Sequence, residues 1–239
     1  MKPAANTAQP FKDGDHVTVA SLTAGQQPLY DPSRLADAMY WLSHGDAGRR
    51  LAQPRMLGLA LSACLITELV VARAIEVSSD LRVWFRGDVR GRRTASDHLG
   101  PNEFEVVQGS DGEVLGRWLR SLQGCSVDLV ERRLIQAGCT RRRGPFSGRY
   151  ALNTPPGQNR LRISSVLIMQ LHTLKEVHEN DAFLITIGMK IGLKKELFTG
   201  ASPAARRYID NLQHQLGPLP ELLVGQIETA IGDDALRPH

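Results

Sequence analysis

The sequence predicts a mainly helical domain, with one apolar helix buried at the centre of a bundle and short β-hairpins at its edge. Between residues 56 and 72, apolar side chains occur on all sides of a helix and only three residues are polar. A helix that is apolar all round is stable in water only when other elements cover it. Residues 75–85 and 141–152 instead carry the short strands and turn residues typical of hairpins.

The first helix is predicted from its start signal and its spacing. Asp31-Pro32 combines an N-cap residue with a proline suited to the first helical position. Leu35, Met39 and Leu42 then fall on one helical face. We expect this helix to end near His44-Gly45.

The second helix is the apolar one, opened by Pro54, and Glu68 is the only carboxylate within it. A buried carboxylate must be paired or hydrogen-bonded, because otherwise its pKa rises. We therefore expect Glu68 to cap or bridge a neighbouring helix, or to pair with Arg73, and not to take part in catalysis.

After the apolar helix, apolar side chains recur at every second residue, and this spacing predicts the first hairpin. Residues 75–77 and 81–85 alternate apolar and polar side chains, and Ser78-Ser79-Asp80 supplies a turn between them. Residues 86–112 are polar and rich in turn formers, which predicts a long, partly mobile surface loop.

Helical spacing then resumes, with a second hairpin placed between the helices. Ser126 is a candidate N-cap, and Gly138 suits the residue just after a helix. Gly188 and Gly192, four residues apart, are predicted to share a helical face. The remaining helices are predicted at 113–122, 126–138, 160–172, 180–194, 203–216 and 219–232.

Composition fits one domain over residues 31–236, preceded by a flexible tail over residues 1–30. Hydrophobic residues make up 42% of the 239 residues, enough for a core. The three cysteines are far apart and form no C-x-x-C pair, which favours a reducing compartment. No apolar signal segment follows the N-terminal Met1. These features predict a cytoplasmic protein.

Known catalytic and metal-binding patterns do not occur in the chain. His178-Glu179 begins like a zinc-protease helix, but Ala182 stands where the second histidine is required. The sequence also has no phosphate-binding loop, nucleophile elbow or dinucleotide fingerprint. We therefore expect a non-enzymatic protein without metal or cofactor.

Basic clusters are the main candidates for function, since the net charge is +4 and arginine carries most of the excess. A guanidinium fork matches the oxygens of a phosphate group. The arginines that we consider candidate ligands for a lipid head group are Arg49, Arg50, Arg55, Arg132, Arg133, Arg141, Arg142 and Arg143.

Several segments resemble the GPP34 family, the Golgi phosphoprotein 3-like proteins. They are the segment 35–42, Gly48-Arg49-Arg50, the start of the apolar helix at 57–61, and the C-terminal segments 181–198 and 219–230. The last two look like the end of actinobacterial members, and the resemblance covers residues 33–236. It implies a helical domain around an apolar helix, phosphatidylinositol 4-phosphate binding at membranes, an adaptor role, and oligomerisation aided by a hairpin, here at Tyr150 and Leu152.

The site that this resemblance implies is not matched residue by residue. The eukaryotic pocket has a tryptophan and an arginine at the central helix and two basic residues at a later helix. The corresponding positions here lie near Gln53, Ser62, Gly124 and Val127, none of which is aromatic or basic.

These observations predict a peripheral protein that binds anionic phospholipid or phosphoinositide, with a protein client and a homo-oligomer as further expected partners. Two alternatives remain open. The two helix-then-hairpin units allow a nucleic-acid-binding regulator of winged-helix type, which requires a basic exposed helix face, although nucleic acid is not the expected partner. A protein-interaction scaffold without a lipid ligand is the other.

Overall fold

The computed structural model describes residues 34–44, 50–86, 99, 111–142, 150–152, 177–199 and 201–235. This part of the chain is mainly helical, with two antiparallel hairpins, and confirms the predicted fold class. The helices are α1 Leu35–Leu42, α2 Pro54–Val71, α3 Leu115–Gln123, α4 Ser126–Gln136, α5 Glu179–Lys190, α6 Lys194–Phe198, α7 Pro203–Asn211 and α8 Pro218–Ala235, with a 3₁₀ turn at Leu212–Gln215.

Helix α2 forms the centre of the bundle, as the sequence predicted. Every residue from Leu57 to Leu69 is buried, and α1, α3, α4 and α8 all pack against the helix. By length and composition alone α2 could cross a bilayer. In this fold its apolar surface is instead covered by the other helices, as expected of a core helix.

The helices that surround α2 define two ends of the bundle. We call one of them the Arg55 end: α1 ends there, α2 begins there and α3 ends there. The Gln123 side chain, in the last turn of α3, donates to the Arg55 carbonyl at 3.1 Å. At the other, the Glu68 end, α2 finishes beside the start of α1. Helix α5 finishes at the Arg55 end, because Gly188 lies against the Leu42 side chain there.

Both predicted hairpins are confirmed. Strand β1, Ile75–Val77, pairs antiparallel with β2, Val83–Phe85. Strand β3, Thr140–Arg142, pairs antiparallel with β4, Tyr150–Leu152. The chain after the first hairpin also returns to it, since the Val83 N–H donates to the Glu113 carbonyl at 2.9 Å.

Some predicted element boundaries were wrong. Helix α1 begins at Leu35, whereas the predicted Asp31-Pro32 start lies outside the described residues. Ser126 is the first residue of α4 and does not cap it, because its hydroxyl donates to another helix. Gly192 does not share a helical face with Gly188, since it follows α5 with φ +97° and turns the chain into α6, which the sequence did not predict.

Other local predictions were confirmed. Ser202 caps α7 by accepting the Ala205 N–H at 3.1 Å, and Gly138 follows α4 with φ +70°. The predicted helix 160–172, the tail 1–30 and most of the predicted loop 86–112 lie outside the described residues. Within that loop Leu99 is buried.

Gly58 allows α2 and α3 to approach closely, and we predict that Gly58→Ala destabilises the fold. A Cβ there would lie 2.6 Å from the backbone oxygen of Gln123, so the two helices must separate. We expect a loss of about 1–3 kcal/mol, as for other overpacked sites, even though alanine favours a helix by about 1 kcal/mol over glycine. Urea unfolding measures this change.

The matched control is Gly225→Ala in α8, where an added Cβ meets no atom within 4 Å. It should raise the free energy of unfolding by about 0.4–1 kcal/mol. If both variants stabilise the protein, the α2–α3 contact does not depend on a glycine at position 58.

Candidate anion-binding surface

The buried carboxylate of Glu68 joins three helices. It is completely buried and accepts the backbone N–H of Ala36, in the first turn of α1, at 2.7 Å. The Arg133 guanidinium on α4 donates to both of its oxygens, at 2.8 and 3.2 Å. Glu68 therefore caps one helix and bridges to another, as predicted, but its ion partner is Arg133 and not Arg73.

Asp37 completes this network from the exposed side of α1. The Nε of Arg133 donates to its carboxylate at 2.7 Å. Burial disfavours the charged guanidinium, but the two carboxylates outweigh it and raise the pKa of Arg133. Burial is the main cause that raises the pKa of Asp37, repulsion from the Glu68 carboxylate adds to it, and the attraction to Arg133 offsets these effects only in part.

We predict that Asp37 stabilises the fold more at acidic than at neutral pH. Its folded pKa lies above the ordinary 3.8, so the folded state binds the proton more tightly. This contribution is therefore complete below pH 3.8 and is lost as the pH rises through the raised pKa. The difference in unfolding free energy between the wild type and Asp37→Asn should fall as the pH increases over this range, measured by urea unfolding.

Asp80→Asn provides a control of opposite sign. A hydrogen bond from Ser78 lowers the pKa of the Asp80 carboxyl. Its contribution is present above the ordinary aspartate pKa and is lost as the pH falls. If the difference in unfolding free energy from the wild type changes with pH in the same direction for both variants, the raised pKa is not that of Asp37.

A second polar link connects α1 to α4 and reaches the surface at Arg50. The Tyr40 hydroxyl donates to the Glu131 carboxylate at 3.0 Å, and the Arg50 guanidinium donates to the same oxygen at 3.3 Å. Glu131 is buried, whereas 39% of the Arg50 side chain is exposed. His44 stacks on the Tyr40 ring at 4.1 Å between centroids. Arg50 is thus fixed on one side and open to solvent on the other.

The four positions that correspond to the family pocket lie on α2 and α4 or at the ends of α2 and α3. The Gly58 carbonyl accepts the hydroxyls of Ser62, at 2.8 Å, and of Ser126, at 2.9 Å, which ties the start of α4 to α2. Gln53 precedes α2 without a capping hydrogen bond from its side chain, Gly124 follows α3, and Val127 is the second residue of α4. None of these four residues carries a charged side chain.

The candidate arginines lie in different places. Arg55 is exposed in the first turn of α2, and Arg132 is exposed on α4 with its Nε donating to the Asp128 carbonyl at 3.3 Å. Arg133 is only 12% exposed, and its guanidinium is held by two carboxylates, so we leave it out of the surface proposed below. Arg141 and Arg142 lie on β3, and Tyr150 and Leu152 on β4. Arg49 and Arg143 lie outside the described residues.

The winged-helix alternative would require a basic exposed face on α4. Helix α4 presents Asp128, Arg132, Ile135 and Gln136 to solvent. One arginine beside one acid does not form the basic recognition face that this alternative requires.

A basic cluster near the end of α5 was missed by the sequence analysis. Lys194, Lys195 and Arg206 lie around Phe198 and line an open concavity. The pairs Lys194-Lys195 and Arg206-Arg207 were visible in the sequence, but α6, the short helix that carries both lysines and Phe198, was not predicted. Within the part of the chain that the structure describes, no group of three histidine, cysteine, aspartate or glutamate side chains could hold a metal ion.

A buried central helix, surrounding amphipathic helices and exposed basic residues define a helical domain of the Golgi phosphoprotein type. The profile of the Golgi phosphoprotein 3 (GPP34) family matches residues 35–227. The chain therefore belongs to the GPP34 family. No curated protein and no solved structure matches it.

Proposed function

We propose that this protein is a non-enzymatic adaptor that binds anionic membranes, with phosphoinositides such as phosphatidylinositol 4-phosphate among its lipid ligands. Membership of the GPP34 family supports a lipid-binding or adaptor role. We also propose that the protein is cytoplasmic and associates with the membrane from that side. A bound protein client would complete the adaptor role.

The position of Arg55 is the observation that carries this proposal. It is exposed in the first turn of α2, three residues before Gly58, whose carbonyl accepts the Ser126 hydroxyl of α4. A guanidinium donates to phosphate oxygens as a fork, so an arginine at this place suits a lipid phosphate. In this arrangement Arg55 supplies, from the neighbouring turn, the charge that the matched positions lack.

Arg50 and Arg132 extend the basic surface from the Arg55 end along α4. Both are exposed, and the Arg50 guanidinium is oriented by its hydrogen bond to the buried Glu131 carboxylate. Each well-placed arginine contributes about 1 kcal/mol near an anionic membrane surface. We propose that Arg141 and Arg142, on strand β3, which begins four residues after α4 ends, contribute further positive charge. We propose that Tyr150 and Leu152, on the partner strand of β3, take part in an oligomer contact.

Vesicle co-sedimentation at low and moderate salt tests the proposal. Neutral vesicles, phosphatidylserine vesicles, and vesicles with phosphatidylinositol 4-phosphate at equal charge are compared. We expect no sedimentation with neutral vesicles, binding to both anionic types, and weaker binding as salt screens the arginines. Equal binding to neutral and anionic vesicles, or none at all, would show that the arginines do not bring the protein to a membrane.

A further inference from the structure

A cluster of cations around Phe198 forms a second concave basic surface, apart from the arginines discussed above. We propose that Lys194, Lys195 and Arg206 form a binding site for a phosphate-bearing ligand. The concavity has a volume of about 610 Å³ and is also lined by Gly192, Phe198 and Thr199. This site is independent of the membrane surface proposed above.

The Phe198 ring orients two of the three cations. The Lys194 ammonium lies 5.4 Å from the ring centroid, and the Arg206 guanidinium lies 5.9 Å from it. Cations at such distances are attracted by the negative face of the ring. Two long side chains from different helices are therefore held around one concavity, which lowers the entropy lost when they bind an anion.

Within the described part of the chain, no carboxylate forms an ion pair with this cluster of Lys194, Lys195 and Arg206. Glu196 lies on the opposite side of the helical turn from Phe198, because successive residues are rotated by about 100°. Asp210, one turn beyond Arg206 on α7, forms no ion pair with it in this structure.

Several other exposed arginines in the described residues are paired with carboxylates. Arg82 pairs with Asp80 at 3.1 Å, Arg86 with Glu76 at 2.7 Å, and Arg117 with Glu113 at 2.6 Å. Lys190, at the end of α5, pairs with Glu228. A concave cluster of three cations without a carboxylate therefore stands out from its surroundings and suits a ligand that brings the negative charge.

The backbone beneath the cluster is held in place. Leu197 is buried, and together with Leu193 it packs around Gly188 next to Leu42. The Thr199 hydroxyl donates to the Lys195 carbonyl at 2.7 Å, and the Ala201 N–H donates to the Phe198 carbonyl at 3.0 Å. These contacts fix the segment that presents both lysines, as a preformed site requires.

The chemistry of the site points to a phosphate group, since ammonium and guanidinium groups together bind its several oxygens. Phosphate can come from a soluble phosphorylated metabolite or from a lipid head group. The packing of Gly188 on Leu42 places the concavity towards the Arg55 end, where a membrane would meet Arg55 in the function proposed above.

Titration of the isotopically labelled full chain with inositol 1,4-bisphosphate, followed by NMR, tests the site directly. We expect shifts of the amide resonances of residues 192–199 and 206. The triple variant Lys194→Gln, Lys195→Gln, Arg206→Gln should bind roughly tenfold or more weakly, because each charged hydrogen bond contributes substantially. The control is Arg82→Gln, Arg86→Gln, Arg117→Gln, which removes the same charge and should leave the titration unchanged.

A parallel titration with phosphatidylinositol 4-phosphate vesicles distinguishes the two sources of phosphate. If the cluster variant loses soluble binding and also binds vesicles more weakly than the wild type, the site takes a lipid head group; if it loses soluble binding while its vesicle affinity is unchanged, the ligand is a soluble phosphate compound. Absence of soluble binding to the wild type, or equal binding by the cluster variant, overturns the proposal. Neither result depends on whether Arg50, Arg55 and Arg132 bind membranes.

Discussion

Replacing Arg133 with methionine should lower the free energy of unfolding by about 3–5 kcal/mol, the usual cost of removing one partner of a buried ion pair. The substitution removes the guanidinium that donates to both oxygens of the completely buried Glu68. Of the Glu68 hydrogen bonds given above, only the one from the Ala36 N–H then remains. Urea unfolding at neutral pH, followed by circular dichroism, measures the loss.

Two further variants test whether the unpaired charge of Glu68 causes this loss of stability. Arg132→Met changes the exposed neighbour and should cost less than about 0.5 kcal/mol, as most surface substitutions do. Combining Arg133→Met with Glu68→Gln removes both charges, while the amide oxygen can still accept the Ala36 N–H. The double variant should therefore be more stable than Arg133→Met alone. A double variant that is no more stable would mean that the buried charge of Glu68 is not the source of the loss.

The second large effect concerns membrane binding. Changing Arg50, Arg55 and Arg132 together to glutamine should weaken binding to phosphatidylinositol 4-phosphate vesicles by roughly a hundredfold. This figure follows from about 1 kcal/mol for each cation near an anionic surface and a tenfold change in affinity for about 1.4 kcal/mol. Because Arg50 also pairs with the buried Glu131, binding is measured where unfolding curves show the variant to be folded. Vesicle titration followed by tryptophan fluorescence gives the affinity.

The matched control again changes Arg82, Arg86 and Arg117, which are exposed but already paired with carboxylates. Both variants remove three positive charges and break at least one ion pair, since Arg50 pairs with Glu131, so the comparison tests the position of the arginines. We expect the control to retain at least most of the wild-type affinity. An equal loss in the two variants would indicate attraction to net charge without a defined surface.

The bundle could be predicted because its signals are local. Residues 57–69 are apolar on every side, and a helix with that pattern has no stable place except the centre of a bundle. The alternation at 75–85 and the cap at Ser202-Pro203 also act within a few residues, and both appear as predicted. The ends of α1 and α5 were harder to predict, since they depend on contacts made elsewhere in the chain.

The candidate site could be predicted only in part. Glu68 was recognised as a carboxylate in need of a partner, but Arg133 lies 65 positions away, and nothing local in the sequence pairs the two. For the same reason Arg133 resembled an exposed phosphate ligand when it was read beside Arg132. The Phe198 cluster requires the turn at Gly192, which was predicted as part of a continuous helix.

Hydrogen–deuterium exchange of the full chain, with and without phosphatidylinositol 4-phosphate vesicles, tests the central claim most directly because it locates the bound surface. We expect vesicles to slow exchange in the segment around Arg50, the first turn of α2 and the first turns of α4. The β1–β2 hairpin, whose arginines are paired, should exchange as it does in solution. Unchanged exchange around Arg50, the start of α2 and α4 under conditions where the protein sediments with the vesicles would contradict the proposed membrane surface.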